Sequence, residues 1–367
     1  MPKRNELLIS FVHGYHNDEI NVQNTKIPAL IRMDADKKEI IAIISLEFPR
    51  TPKDFFEFPH EILGEKPLPN QELQFKKLPR FGIMGLSSDQ NYIYAASWNG
   101  LYKIIKENYN IESFISNRLI SDPHGIAVSD DKIYSILTPL DLVVITDKTS
   151  GKILDYFSVD RELNINRNES ILLHDWRFIS KQQRGAVGYW HFNHIRISGD
   201  KIYLTSRLTS SIIEIDQGKP SATIRTVCWD TPVMIHDGRL LGGGELVFTS
   251  VDGKILIADD ATKKTSEMRG MDNTAFHPLM KRDMVTTSIR LENILGKKIN
   301  WCRGIEEYNG AYITTTDGRY EQEYPYFNIT FVKKDGSFVE MVQIPYSLLA
   351  FPKQIRYMTG FSVIALT

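Results

Sequence analysis

The stretch HGIAVSDDKIYSILTPLDLVVITDKTSGKILDYFSV, residues 124–159, decides the predicted fold. It contains four short runs rich in β-branched and aromatic residues, namely GIAV, KIYSIL, LVVIT and KILDYF. Turn residues punctuate them, with Asp-Asp after the first run and Thr-Ser-Gly before the last. Runs of this kind, bounded by turn residues, are typical of successive antiparallel strands. The stretch therefore predicts a four-stranded sheet built from one continuous segment.

The same pattern recurs along the chain. It returns in residues 81–116 and 193–227, more loosely in residues 231–259, and again from residue 302 onwards. Repeated units of about 40 residues with four strands each are typical of β-propeller blades. Little helical periodicity competes with this pattern, so the sequence predicts an all-β fold, a β-propeller.

The two ends of the chain complete each other in this prediction. The N-terminus offers three strands, ELLISFV, PALIRMD and EIIAIISLE, without an innermost one, and the C-terminal QIRYMTGFSVIALT has no blade of its own. Pairing the two ends closes the ring and leaves no exposed edge. We therefore predict one propeller domain over residues 1–367 with six four-stranded blades. A ring of seven blades is the alternative, because the insertions at about 47–80, 160–192 and 261–300 are long enough to contain further strands.

Composition excludes several classes of partner. The formal net charge is −1, so no charge excess favours binding to nucleic acid or to a membrane surface. Hydrophobic residues make up 42% of the chain, which is enough for a sizeable core. The first apolar run is too short for a secretory signal, and no run approaches the roughly 18 apolar residues of a membrane span. Two cysteines, Cys228 and Cys302, lie in apolar surroundings and are expected to be reduced. We predict a cytoplasmic protein.

Polar residues collect at one predicted face, which we call the mouth. In a propeller, the loop entering the inner strand of a blade and the loop joining its second and third strands open on the same face. The predicted entrance loops carry Asp122, His124, His191, Asn193, His194, Trp301 and Arg303. The predicted second-to-third turns carry His13, His16, Asp18, Trp98, Asn99, Arg207, Asp317 and Arg319. His236 is predicted at a turn on the opposite face, and the loops around His60 and His277 receive no predicted face.

Five of the nine histidines thus fall at the mouth, and they are the predicted metal ligands: His13, His16, His124, His191 and His194. Neutral imidazole suits Zn, Fe or Mn, whereas calcium prefers oxygen ligands, and the entrance loops are poor in Glu and Asp. The same side chains suit general acid–base chemistry. The alternative for each histidine is a hydrogen bond to neighbouring backbone at the start of a strand. No motif for a nucleotide cofactor is present, because the GGGEL segment lacks the Lys-Ser/Thr of a phosphate loop.

The remaining mouth residues suit an anionic substrate. His124, His191 and Arg303 are the predicted catalytic residues, with the arginine orienting a carboxylate or stabilising negative charge. The predicted substrate-binding residues are Trp98, Asn99, Arg207, Asp317 and Arg319. The alternatives are ion pairs between blades for the arginines and core packing for the tryptophans.

The segment DPHGIAVSDDKIY resembles the blade openings of the six-bladed lactonase-like and NHL-repeat superfamily. In motif the chain is more similar to DUF4915, an uncharacterised propeller family. Its His-x-Asn opening matches His191 and Asn193, its HDG unit matches HDGRLL with TSVDGKILIAD, and its RG element matches CRGIEEYNGAYI with Arg303. DTPV stands where that family has His-Ser-Pro-Arg, so any role of that element is not carried over. Lactonase-type enzymes hold a divalent metal with Glu, Asn and Asp; only Asn193 has a counterpart, so the calcium mechanism is not carried over either.

These observations predict an axial, histidine-lined pocket that binds a small polar molecule, with an anion favoured. The predicted chemistry is hydrolysis, elimination or isomerisation, with a histidine or a metal-bound water as the base. The alternative is a non-catalytic scaffold whose outer face and insertions bind another protein. The sequence carries no mark of an oligomeric state.

Overall fold

A computed structural model describes residues 5–15, 26–49, 51–68, 81–178, 189–227, 234–240, 246–258, 285–291, 300–317, 326–349 and 355–366. Their strands form six sheets arranged as blades around one axis, and each sheet is described below from its innermost strand outwards. The predicted six-bladed propeller is therefore confirmed. None of the helices in these ranges is long and apolar enough to cross a membrane.

The first three blades use both ends of the chain and part of one insertion. Blade 1 contains β27 (Ile355–Leu366), β1 (Glu6–Tyr15), β2 (Ile27–Asp34) and β3 (Glu39–Leu46), with the short β5 (Phe81–Gly82) also pairing with β1. Blade 2 contains β6 (Gly85–Ser88), β7 (Tyr92–Ser97), β8 (Gly100–Ile105), β9 (Ile111–Ser116) and β4 (Glu61–Gly64). Blade 3 contains β10 (Pro123–Ser129), β11 (Lys132–Leu137), β12 (Leu142–Asp147), β13 (Ile153–Val159) and β14 (Ile165–Asn166).

The other three blades have four strands each in the described ranges. Blade 4 contains β15 (Phe192–Ser198), β16 (Lys201–Ser206), β17 (Ser211–Asp216) and β18 (Ala222–Val227). Blade 5 contains β19 (Ile235–Leu240), β20 (Leu246–Ser250), β21 (Lys254–Ala258) and β22 (Val285–Arg290). Blade 6 contains β23 (Asn300–Tyr308), β24 (Ala311–Asp317), β25 (Tyr326–Lys333) and β26 (Phe338–Pro345).

The predicted closure by both chain ends is also confirmed. β27 pairs antiparallel with β1 along its length, from Glu6 opposite Leu366 to Tyr15 opposite Ile355. β27 thereby supplies the inner strand that the N-terminal strands lack. An antiparallel pair of this length joins the first and last residues of the fold through backbone hydrogen bonds.

Six buried apolar clusters hold neighbouring blades together. Each contains side chains from two adjacent blades, so together they run around the ring. Representative members, by successive pair of blades, are Leu8 and Ile93, Tyr94 and Ile126, Ile136 and Ile195, Ile212 and Phe248, Val247 and Tyr312, and Ile313 and Ile9. Because burying one aliphatic side chain contributes roughly 1.5–3 kcal/mol, these interfaces are the main stabilising contribution to the ring.

The long insertions add to existing blades. The first contributes the short helix Pro52–Glu57 and then β4, which pairs parallel with β9. The second contributes β14, and the third contributes β22, the outermost strand of blade 5. The buried Arg177 of the second insertion donates to the Glu65 carbonyl of the first over 2.6 Å, so these two insertions are joined.

Candidate functional site

A shared irregularity places polar side chains at the axis. In four inner strands a bulge sets two residues opposite a single residue of the next strand. The four pairs are His124–Gly125, Asn193–His194, His236–Asp237 and Arg303–Gly304. Bulges of this kind redirect side chains and often lie beside functional sites. Equivalent positions in four consecutive blades therefore present His, Asn, His and Arg at the mouth.

Glycine lets these strands approach closely. A Cβ atom on Gly125 would lie 3.0 Å from the Cα atom of His194, and one on Gly85 would lie 3.3 Å from the Cα atom of Gly125. A Cβ atom on Gly304 would lie 3.2 Å from the Cα atom of Ser362. Only a residue without a side chain fits such contacts without a shift. The narrow spacing brings the mouth residues of neighbouring blades within electrostatic range of one another.

Two histidines at the mouth are held neutral. Burial and the neighbouring Arg303 lower the pKa of His236 to about 3. Burial, followed by His124 and Arg207, lowers the pKa of His191 to about 3 as well. Both imidazoles are therefore unprotonated near neutral pH, where each carries one donor and one acceptor nitrogen.

His124 and His191 form a pair at the entrances to β10 and β15. Their ring centroids are 5.9 Å apart in an edge-to-face arrangement, and Nε2 of His124 lies 3.6 Å from Oδ1 of Asp122. Asp122 and His191 both have a φ of 52°, in the left-handed region that non-glycine residues seldom adopt. The Asp122 amide donates to the Trp98 carbonyl over 2.6 Å, which helps to hold this conformation. Backbone strain of this kind concentrates at binding sites.

Asp237 is the centre of the polar network beneath the mouth. Its carboxylate lies 2.8 Å from Nδ1 of His236 and 3.3 Å from Nδ1 of His194, and it accepts the Gly304 amide over 2.7 Å. Burial alone raises the pKa of Asp237, but the two histidines outweigh burial and hold that pKa well below its ordinary value. Because an ionised carboxylate only accepts hydrogen bonds, it fixes the proton of each ring on Nδ1 and leaves Nε2 as the basic nitrogen.

Asn193 offers an unpaired acceptor at the mouth. The residue is fully buried, and its Nδ2 donates to the Ile235 carbonyl over 3.4 Å. Its Oδ1 has no hydrogen-bond partner among the residues that the structure describes. A buried acceptor without a donor costs about 1–3 kcal/mol. A hydroxyl or amino group of a bound molecule would satisfy this oxygen.

Three predicted substrate-binding residues have contacts of their own. Trp98 is 7% exposed and donates from Nε1 to the Arg177 carbonyl over 3.3 Å. Asn99 donates to the Pro49 carbonyl over 2.6 Å. Arg207 is partly buried, and its backbone amide donates to the His191 carbonyl over 3.3 Å. Trp98 and Asn99 anchor the joined insertions, whereas Arg207 lies beside His191.

The predicted metal ligands are only partly brought together. His124, His191 and His194 belong to neighbouring inner strands, but Nε2 of the buried His13 lies 2.6 Å from the Pro28 carbonyl in blade 1. Within the described ranges, no group of three or more His, Cys, Asp or Glu side chains has the arrangement of a metal site. His16 and Arg319 lie outside the described residues, as do Cys228 and His277, and the side chains of Trp301 and Asp317 are not described either. The transition-metal site stays a prediction.

The predicted placement of His236 was wrong. The sequence predicts a turn on the opposite face at MIHDG, and its Asp-Gly pair is indeed typical of hairpin turns. The structure places it in the inner strand β19, 2% exposed, where the bulge accommodates Gly238. Aligning the blade openings PHGI, FNHI, IHDG and CRGI would have shown that His236 is equivalent to His124.

Three solved structures are similar to this chain, and the one with a TM-score above 0.5 supports the fold alone. A structure of a protein of unknown function from Bacteroides caccae is 10% identical, covers 97% of this chain and 98% of its own, and has a TM-score of 0.51. Hydrazine synthase from Kuenenia stuttgartiensis is 13% identical over 75% of this chain and 67% of its own, with a TM-score of 0.44. The β-propeller domain of Cps50 (Swd1) from Myceliophteria thermophila is 11% identical over 92% and 90%, with a TM-score of 0.47.

No family model matches the chain, and neither does any curated protein. The resemblance to the DUF4915 and lactonase-like families is therefore not confirmed. At these identities the structural matches carry no functional residue across to this chain.

Proposed function

We propose that the mouth binds a small anionic molecule that carries a hydroxyl group, such as a hydroxycarboxylate, and performs acid–base chemistry on it. The observation that carries the proposal is the neutral imidazole of His236 beside the buried guanidinium of Arg303, with the neutral His191 within electrostatic range of His236. Arg303 is 3% exposed, and its charge acts directly on His236. A guanidinium group can donate two charge-assisted hydrogen bonds to a ligand carboxylate.

An uncharged side chain, that of Asn193, would recognise the hydroxyl group of the ligand. Asn193 Oδ1 would accept a hydrogen bond from the ligand hydroxyl group, because no described residue donates to it. The polar groups are buried and held by the inner strands, so little ordering is needed on binding. A carboxylate without a hydroxyl group would leave the Asn193 oxygen unsatisfied and would bind more weakly.

The acid–base step follows from the His236–Asp237 contact. Asp237 holds the Nδ1 proton of His236, so Nε2 is the nitrogen that takes a proton from the substrate. In the free protein the lowered pKa of His236 makes it a weak base. A bound anion reduces the effect of Arg303 and raises that pKa towards the working range of a general base. Elimination, isomerisation and hydrolysis all use such a base.

The binding experiment compares hydroxycarboxylates with matched carboxylates. Glycolate, lactate, malate and gluconate would be titrated by calorimetry beside acetate and succinate, which lack the hydroxyl group. We expect at least one hydroxy acid to bind the wild-type protein saturably. The same acid should bind Arg303→Met at least about tenfold more weakly. Arg167→Met is the matched control, since Arg167 is surface-exposed and pairs with Asp155.

Two outcomes would overturn the proposal. One is equal binding to wild type and Arg303→Met, and the other is no saturable binding of any hydroxy acid. Arg303→Lys keeps the charge and serves in place of Arg303→Met if that variant does not fold. Because lysine lacks the planar fork, it should still weaken binding.

A protein-binding scaffold is the second candidate, and two exposed side chains favour it. Leu68 in the first insertion is 73% exposed, and Leu173 in the second is 79% exposed. A scaffold would tolerate His124→Ala and His191→Ala, but trimming an insertion would abolish binding of its protein partner. An enzyme would lose activity in the histidine variants with its fold intact.

A further inference from the structure

We infer that the end of the axis opposite the mouth binds a second small oxyanion, a carboxylate or a phosphate, beside the guanidinium groups of Arg196 and Arg239. This site lies further along the same inner strands and uses none of the mouth residues. Its ligand contacts are therefore distinct from those proposed at the mouth.

The strand register places both arginines at the axis. Arg196 and Arg239 come two residues after His194 and Asp237, and residues two apart in a strand point to the same face. Glu306 occupies the equivalent position in β23, two residues after Gly304. The three charged side chains thus come from blades 4, 5 and 6, which are consecutive. The equivalent positions in the other blades are Ser87, Ala127 and Ile364.

The charges at this level do not balance. Arg239 forms a close ion pair with Glu306, and no other acid occupies an equivalent inner-strand position. Glu306 is 4% exposed, and its carboxylate also accepts the Ala365 amide over 3.4 Å and the Glu307 amide over 3.0 Å. Its oxygens are therefore largely occupied by the contacts with Arg239 and the backbone. Two arginines share one carboxylate.

Arg196 is the arginine of this level that does not form the close ion pair with Glu306. Its Nε is buried and has no hydrogen-bond partner among the residues that the structure describes. Burial and then the charge of Arg239 lower the pKa of Arg196 to about 10, against the opposing effects of Glu306 and Asp237. A charge that is partly withdrawn from water and poorly compensated is costly, and an oxyanion that bridges the two guanidinium groups would reduce this cost.

The chemistry selects a small oxyanion. The Nε–Nη edge of a guanidinium group donates two parallel hydrogen bonds, a spacing that matches two oxygens of a carboxylate or phosphate. Ser87 and Ala127 are short and uncharged, so they neither fill nor repel such a ligand. The site is three residues along the strand from the mouth, or roughly 10 Å. Binding at the two sites can therefore be separated by single substitutions.

Calorimetric titrations with inorganic phosphate and with acetate, at constant ionic strength, test the inference. We expect saturable binding of at least one of these probes, weakened about tenfold in Arg196→Met and retained in Arg303→Met. The two probes distinguish a phosphate site from a carboxylate site. Equal binding to wild type and Arg196→Met would overturn the inference, and so would the absence of saturation by either probe.

A second variant covers loss of folding in Arg196→Met. Arg196→Lys keeps the positive charge but lacks the two-pronged donor edge, so it should fold and still bind the probe more weakly. Undiminished binding to the folded lysine variant would contradict the inference. Because Arg303→Met leaves this site intact, failure here and failure of the hydroxycarboxylate proposal give different results.

Discussion

Neighbouring groups determine the protonation states of single residues at the mouth. His236 and His191 are neutral because burial and nearby positive charge oppose protonation, and Asp237 stays ionised because two ring nitrogens and the Gly304 amide donate to it. None of these states is a property of the residue type alone. They arise when the inner strands of blades 3 to 6 meet at the axis.

These states predict how stability depends on pH. The folded-state pKa of His236 is about 3, below the ordinary value of 6.5, so the unfolded chain binds a proton more readily than the native protein. Its contribution to the free energy of unfolding is fully present above pH 6.5 and is lost as the pH falls towards 3. We expect His236→Asn to reduce this pH dependence, measured by urea unfolding between pH 7 and pH 4.

His174→Asn is the control for this prediction, since His174 is exposed in the second insertion. It should follow the wild-type curve at every pH. A His236→Asn protein with the same slope as wild type would show that His236 titrates normally in the native state.

At the scale of the element, the innermost strands combine closure of the ring with presentation of the site. β27 closes blade 1, and the bulges in β10, β15, β19 and β23 turn polar side chains towards the axis. Because Val363 of β27 lies in the cluster between blades 6 and 1, it reports on this closure.

Val363→Ala should lower the free energy of unfolding by about 2 kcal/mol, because it removes two buried methyl groups and leaves a cavity. Val339→Ala removes the same atoms from the exposed face of the outer strand β26, where the side chain is 36% exposed. That control should change stability by less than about 0.5 kcal/mol. Equal effects in chemical denaturation would show that β27 is not a closing strand.

The strands also show how much of the fold and of the candidate site could be predicted from the sequence. Strand patterns are local, so β10 to β13 could be predicted from residues 124–159, and the unmatched chain ends predicted the pairing of β27 with β1. Bulges depend on the partner strand, so the inner-strand position of His236 was missed. The Asp237 network joins three blades and has no local signal. Arg196 and Arg239 were not predicted as a site because their proximity depends on the register of separate blades.

At the scale of the whole molecule, the ring sets two polar levels along one axis. The upper level places the neutral His236 near Arg303, and the lower level places Arg196 near the ion pair of Arg239 and Glu306. Each level contains an arginine that is withdrawn wholly or partly from water, Arg303 in the upper level and Arg196 in the lower one. Six apolar interfaces between blades stabilise this arrangement, so the fold provides the free energy that holds these groups together.

The most direct test of the mouth as an anion site is nitrogen NMR of the protein with ¹⁵N-labelled histidine, recorded with and without a hydroxycarboxylate. The expected result is that saturating ligand shifts the ring signals of His191 and His236, leaves that of the exposed His174 unchanged, and has no such effect in Arg303→Met. Ring signals of His191 and His236 that stay unchanged at every concentration of all the hydroxy acids would contradict a ligand site at the mouth.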